Sequence, residues 1–111
     1  MIYDFYSDTK TKPSLEMRKT VLNCEVGDEQ KAEDPTTIAL CRKTAELLGK
    51  EAAVFLPSGT MCNEIAIKAH TQPGEEIICD YSSHILNFET GGPAALSGVM
   101  IRALHGENGM F

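Results

Sequence analysis

The sequence contains no tryptophan and few aromatic residues, three tyrosines and four phenylalanines in 111 positions. Basic residues are scarce too: ten Lys and Arg stand against sixteen Asp and Glu, a formal charge of -6. The nearest approach to a basic cluster, residues 10–19, holds only Lys10, Lys12, Arg18 and Lys19. Nucleic acid and anionic membranes call for a concentrated positive face, so neither is expected as a partner. No apolar run is long enough to span a bilayer, and the acidic N-terminus carries no signal-peptide pattern. The four cysteines, Cys24, Cys41, Cys62 and Cys79, lack the close spacing of a zinc or redox motif. Each lies among apolar residues and is expected as a small core side chain in a reducing compartment, by default the cytoplasm. Repeats, low-complexity tracts and interdomain linkers are also missing, and the length suits one small domain.

What is present is an α/β rhythm. Residues 1–12 mix polar and β-favouring residues without a period and read as an extended N-terminal arm with a turn; residues 13–111 form the body. Pro13 or Ser14 opens a helix with Met17, Val21 and Cys24 on its apolar stripe, ended by Val26-Gly27. After the polar stretch 27–33, Asp34-Pro35 is a helix start, Ile38, Cys41, Ala45 and Leu48 keep helical spacing, and Gly49 is the C-terminal cap. Residues 52–57 read as a buried strand, and a helix from Thr60 to about His70 follows at once. Thr71-Gln72-Pro73-Gly74 is a turn and residues 75–80 a second strand. A short helix over 85–89, a helical turn at 94–96, a third strand at 99–104 and a turn at 106–109 complete the chain. Strands alternating with helices predict a parallel sheet.

The segment Pro57-Ser58-Gly59-Thr60 joins the first strand to the third helix. Such a turn aims unpaired backbone N–H groups, the positive end of the helix dipole and two hydroxyls at one point. It is either a phosphate-type anion site or simply a capped turn. Asp80 to His84 also follows a strand, and ligands in parallel α/β sheets gather beyond the carboxyl ends of strands. The two loops are therefore expected to share one rim.

Taken together, several segments resemble the N-terminal part of low-specificity threonine aldolases and related β-hydroxy amino acid aldolases that use pyridoxal 5'-phosphate (PLP). The resemblance rests on Ser7-Asp8-Thr9 with Pro13 and Met17, Glu25-Val26-Gly27-Asp28, Glu33-Asp34-Pro35-Thr36 and Gly49 to Ala53. It continues through Pro57-Ser58-Gly59-Thr60-Met61, Ala69-His70-Thr71 with Pro73-Gly74, His84, and Ala94 to Val99. These aldolases group with the aromatic β-eliminating lyases among fold type I, aspartate-aminotransferase-like enzymes. The implied fold is the N-terminal portion of that large domain, with an incomplete sheet.

The resemblance implies that Ser58, Gly59 and Thr60 bind the PLP phosphate. It implies that His84 stacks on the pyridine ring and acts as a catalytic base or positioning group. Imidazole suits that work because it is flat and exchanges protons near neutral pH. Ser7 would bind the substrate carboxylate. From the residues alone, His84 reads more readily as a surface or loop-packing histidine, and a turn residue beside Asp8 is the alternative for Ser7. Glu89, five residues after His84, reads first as a solvated carboxylate, the alternative being a charge that tunes His84, and His70 and His105 read as bystanders. The chain departs from most threonine aldolases at Tyr6, where they carry arginine, and at Lys31-Ala32, where many carry tyrosine-glycine. Asp28 to Lys31 looks more like a sibling group with other β-hydroxy amino acid substrates. The implied activity is cleavage of a threonine-type amino acid to glycine and an aldehyde by a homodimer or homotetramer. The alternatives are a β-eliminating lyase and a non-catalytic remnant. The Schiff-base lysine, the aspartate facing the pyridine nitrogen and a carboxylate-binding arginine are expected beyond residue 111, so the 111 residues alone are expected to be inactive and poorly folded.

Overall fold

The computed structural model describes residue 4, residues 6–107 and residue 110. The chain divides into two compact units, Met1–Phe55 and Leu56–Phe111.

In the first unit a 3-10 turn, Asp8–Lys10, precedes helix α1, Leu15–Asn23. Ser14 caps α1, its Oγ accepting from Met17 N at 3.2 Å. The helix stops short of the expected Val26-Gly27. The Asn23 amide donates to the Lys19 carbonyl at 2.7 Å and the Cys24 thiol to the Val21 carbonyl at 3.2 Å. The Cys24 side chain thus takes up the Val21 carbonyl, which a further turn would have used. The expected stripe is not buried: Met17 and Val21 are exposed and Cys24 only half-buried.

Next comes a 3-10 turn, Glu29–Lys31, capped by Asp28 and closed by Ala32 at φ 56°. The left-handed region costs an L-residue about 1–2 kcal/mol, and glycine enters it freely. Ala32→Gly is therefore expected to stabilise this turn by about 0.5–1 kcal/mol. Hydrogen exchange of the amides at 29–33 should slow two- to fivefold, and unchanged or faster exchange would contradict the expectation.

Helix α2 spans Pro35–Leu48 as the sequence predicts. Asp34 Oδ1 accepts from Thr37 N at 2.7 Å, Pro35 takes the first helical position, and Gly49 closes the helix in the left-handed region at φ 61°. Asp34 Oδ2 also accepts from Gly27 N at 3.0 Å, and Thr36 Oγ1 donates to the Glu25 carbonyl at 2.5 Å. The start of α2 therefore anchors residues 25–27.

Residues 52–57 do not form the expected strand. A strand needs neighbours for its N–H and C=O groups. Among the described residues the only named strands pair with each other, which leaves this stretch without a ladder and exposes Val54 and Phe55.

The second unit opens on helix α3, Gly59–His70. Strand β1, Glu76–Asp80, pairs in parallel with β2, Met100–Leu104, in the register Glu76–Met100 to Asp80–Leu104. The crossover between them contains a short helix, α4, His84–Asn87, and a π-helical turn, Pro93–Ser97. That turn packs against both α3 and β2. Arg102 makes a two-pronged ion pair across the ladder with Glu76, at 2.6 and 3.0 Å. Cys79, Val99 and Pro93 form the buried apolar centre of this unit, whereas Cys62 is exposed, against expectation. All four cysteines are free thiols. The expected final turn falls partly on Asn108 and Gly109, which lie outside the described residues. No helix among the described residues is long and apolar enough to cross a membrane.

Candidate functional site

The phosphate-type turn is built by the start of α3. Ser58 is the cap, extended at φ -150° and ψ 151°, its Oγ accepting from Met61 N at 3.1 Å and its carbonyl from Cys62 N at 3.1 Å. Gly59 and Thr60 open the helix, so their N–H groups have no acceptor within it. All three residues are exposed, and a Cβ at Gly59 would meet nothing within 4 Å. A hollow of about 560 Å³ lies beside the turn, lined by Ser58, Thr60, Met61, Glu64, Ile65 and Lys68 among others. Free N–H groups, hydroxyls and open backbone fit a phosphate ester. Ser58→Ala removes the side-chain acceptor of the cap and is expected to cost about 1 kcal/mol of α3 stability. The readout is faster hydrogen exchange at Met61; protection equal to the parent chain would show that the cap is dispensable.

The second loop starts where β1 ends. Asp80 Oδ1 accepts from Ser82 N at 2.8 Å and from the Ser82 hydroxyl at 2.5 Å, while Oδ2 accepts from Gly106 N at 3.2 Å. The hydroxyl of Ser82, then its N–H, hold the Asp80 carboxyl below the ordinary aspartate value, with Gly106 and nearby His105 adding to the effect. Tyr81 N donates to the Leu104 carbonyl at 2.8 Å, and the Tyr81 and His105 rings lie 4.6 Å apart. His105 is thus part of the rim's packing rather than a bystander. This bracing delivers the chain to His84 at the start of α4.

The His84 side chain is 61% exposed and its ring lies 5.3 Å from that of Phe88. Its Nδ1 is 2.8 Å from Glu89 Oε1. Glu89 is not the solvated carboxylate expected from the sequence: its side chain is fully buried. The reason is tertiary, because Asn63 on α3 donates its amide to the same Oε1 at 2.6 Å. Burial works against the Glu89 charge. Hydrogen bonds from Asn63, then His84, outweigh it, with neighbouring Glu64 adding to the effect, and leave the carboxyl below its ordinary value. Glu89 is therefore an anion that only accepts, so His84 donates Nδ1–H and keeps Nε2 as its basic atom.

Behind Glu89 the backbone is strained. Thr90 is left-handed at φ 56° and Gly91 follows at φ 76°. A β-branched residue rarely adopts that conformation, and such strain concentrates at functional sites. Here it turns the chain sharply enough to bury Glu89 while His84 stays exposed.

Ser58, Gly59 and Thr60 on α3 are thus linked to His84 through Asn63 and Glu89. Ser7 belongs to the other unit. Its Oγ accepts from Thr9 N at 3.3 Å and lies 2.9 Å from Thr9 Oγ1, which is a local turn. Asn63 and Glu64 escape sequence reasoning, and Glu89 enters it as a solvated carboxylate or, second, a charge that tunes His84. The one local signal was the five-residue spacing from His84 to Glu89.

The beta-eliminating lyase family model matches residues 4–111. Aldolase vrtJ of Penicillium aethiopicum is 40% identical over 110 residues, 98% of this chain and 28% of its own length. A probable low-specificity L-threonine aldolase 2 of Arabidopsis thaliana is 45% identical over 105 residues, 94% of this chain and 30% of its own. The low specificity L-threonine aldolase of Escherichia coli K12 is 45% identical over 96 residues, 86% of this chain and 29% of its own. The chain therefore spans under a third of the length of these relatives. A match along nearly all of its residues, covering both the phosphate-type turn and the His84 loop, places the chain in the beta-eliminating lyase family.

Proposed function

We propose that the chain is the N-terminal part of a fold type I, PLP-dependent lyase that cleaves a threonine-type β-hydroxy-α-amino acid to glycine and an aldehyde. The observation that carries this reading is the His84–Glu89 pair, an exposed imidazole braced by a buried carboxylate. It stands on the same unit as an open, capped helix N-terminus. The relatives named as L-threonine aldolases supply the substrate class.

Ser58, Gly59 and Thr60 hold the cofactor phosphate through backbone N–H groups and hydroxyls. The exposed face of His84 would receive the cofactor ring. His84 Nε2, directly or through one water, takes the proton of the substrate β-hydroxyl as the Cα–Cβ bond breaks, and the β-carbon leaves as the aldehyde. Bound PLP supplies the electron sink for the pair left at Cα. Ser7 binds the substrate carboxylate, in its own or a neighbouring subunit's site, and the enzyme works as a homodimer or homotetramer in the cytoplasm.

The test uses the complete gene product with threonine, allo-threonine and phenylserine. Glycine and an aldehyde in equal amounts support the reading. Ammonia and a keto acid would replace it with β-elimination, the reaction in the family's description. Turnover of none of the three would leave a non-catalytic protein.

A further inference from the structure

Glu64 has no part in the chemistry described above, yet it is one of two buried charged residues among the described residues, with 7% of its surface exposed. It lies on α3, one residue beyond Asn63, whose amide is bound to Glu89. Neither Glu64 carboxyl oxygen receives a donor, and neither does Glu89 Oε2. Glu89 Oε1, by contrast, takes both the Asn63 amide and His84 Nδ1. Gly92 closes over the Glu64 carboxyl so tightly that a Cβ there would lie 2.6 Å from Glu64 Cδ. The groups facing the pair are His84 from α4, Asn63 from α3, and the backbone of 90–92. Lys68 lines the same hollow as Glu64 but forms no ion pair with it among the described residues. The π-helical turn packed on α3 brings no titratable group.

Three buried acceptor oxygens without a donor are an expensive arrangement if both carboxyls are ionised. Two adjoining carboxylates do not both ionise in such a place. One proton eases the conflict, giving Glu64 an O–H donor for Glu89 Oε2, the oxygen of that carboxyl left without one. We infer that Glu64 is held as a neutral carboxylic acid that donates to Glu89, and so acts as a positioning residue that fixes the Glu89 carboxylate and, through it, the tautomer and orientation of His84. Burial, the hydrogen bond to Glu89 and the Glu89 charge all push the Glu64 carboxyl above its ordinary value, while Glu89 moves the other way. The proton therefore belongs on Glu64. In this arrangement Glu89 has donors on both oxygens and remains the single anion of the cluster.

The sign of the pH dependence follows. Folding raises the Glu64 pKa, so its contribution to stability is complete below the ordinary 4.5 and is lost as pH rises through the raised value. Loss of that proton places a second negative charge beside Glu89 and opens the pair. The orientation of His84 should then loosen on the alkaline side.

The inference rests on the proposed function only in treating His84 as the group to be positioned, and its test needs no substrate. In the complete gene product at neutral pH, difference infrared spectra of the parent against Glu64→Gln should show the carbonyl stretch of one protonated carboxylic acid. Nitrogen NMR of the parent should show His84 as the Nδ1–H tautomer. Glu64→Gln keeps an N–H donor for Glu89 and should preserve that tautomer; Glu64→Leu removes the donor and should lose it. If the aldolase reaction is confirmed, Glu64→Leu should slow it about tenfold, the usual scale for a group that orients a reacting one. Glu64→Gln should be close to the parent at neutral pH and lack its alkaline decline. A spectrum without the acid band, or a Glu64→Leu protein with an unchanged His84 tautomer, would overturn the inference. An acid band in a protein that cleaves no β-hydroxy amino acid would uphold it while the proposed function fails. Should Glu64→Leu not fold, the infrared comparison still decides.

Discussion

On the proposed aldolase reaction of the complete gene product, Glu89→Ala is expected to lower the rate of aldehyde release by about 100-fold, within the range seen when a general base loses its working geometry, and to destabilise the second unit by about 3 kcal/mol. Both effects follow from one atom. Glu89 Oε1 receives the Asn63 amide at 2.6 Å and His84 Nδ1 at 2.8 Å. Truncation leaves a half-buried amide without its acceptor and a buried Glu64 without its partner. The exposed His84 ring returns to water at little cost in stability, but nothing then selects its Nδ1–H tautomer or its angle. Rate and stability should consequently separate in Glu89→Gln, which keeps an acceptor oxygen and loses the charge: the unit stays folded while the rate remains low. Initial rates and hydrogen exchange of residues 84–92 read the two effects. A Glu89→Ala rate within threefold of the parent would mean that His84 needs no brace.

The acid side carries a further signature of the same residue. Folding lowers the Glu89 pKa, so its contribution to stability is complete above the ordinary 4.5 and is lost as pH falls through the lowered value. The parent should therefore lose protection at residues 84–92 in that window, and Glu89→Gln should lose less.

Gly27→Ala is expected to destabilise the first unit by about 2–3 kcal/mol. A Cβ at Gly27 would overlap the Glu33 carbonyl, with the carbonyl carbon 2.7 Å away. These obstructing atoms are backbone, so no rotamer change relieves the clash. The same shift pulls Gly27 N from Asp34 Oδ2, now 3.0 Å apart, and disturbs the residue that caps α2. Hydrogen exchange of Thr36, Thr37 and Ile38 should accelerate by about 30- to 160-fold, the equivalent of that free energy. Exchange unchanged at these amides would show that the 25–34 segment moves aside freely.

Much of the local structure was legible in the residues. Asp34-Pro35 and Gly49 bound α2 and Ser14 caps α1 where the sequence predicts, while α3 starts at Gly59 behind a Ser58 cap, one residue before the expected Thr60. Capping joins atoms three or four residues apart, so the information lies within one window of sequence. The parallel pairing of β1 and β2 was also foreseeable from strand–helix alternation. Residues 52–57 show the opposite case. Their apolar run has strand composition, but a strand exists only through its ladder, and no described strand pairs with this one.

The opening motif followed the same division. The sequence by itself determined that Ser58-Gly59-Thr60 begins a helix with its N–H groups turned outward, because cap and helix start are neighbours in the chain. It also determined the family, through motifs spread along nearly all its length. Tertiary structure alone decided what stands behind His84. Asn63 and Glu89 are 26 residues apart and meet because the crossover packs its π-helical turn onto α3. Whether a glutamate is solvated or buried depends on what the rest of the chain places around it. That is why Glu64 and Glu89 read as ordinary acidic residues in the sequence and become a buried carboxyl pair in the fold.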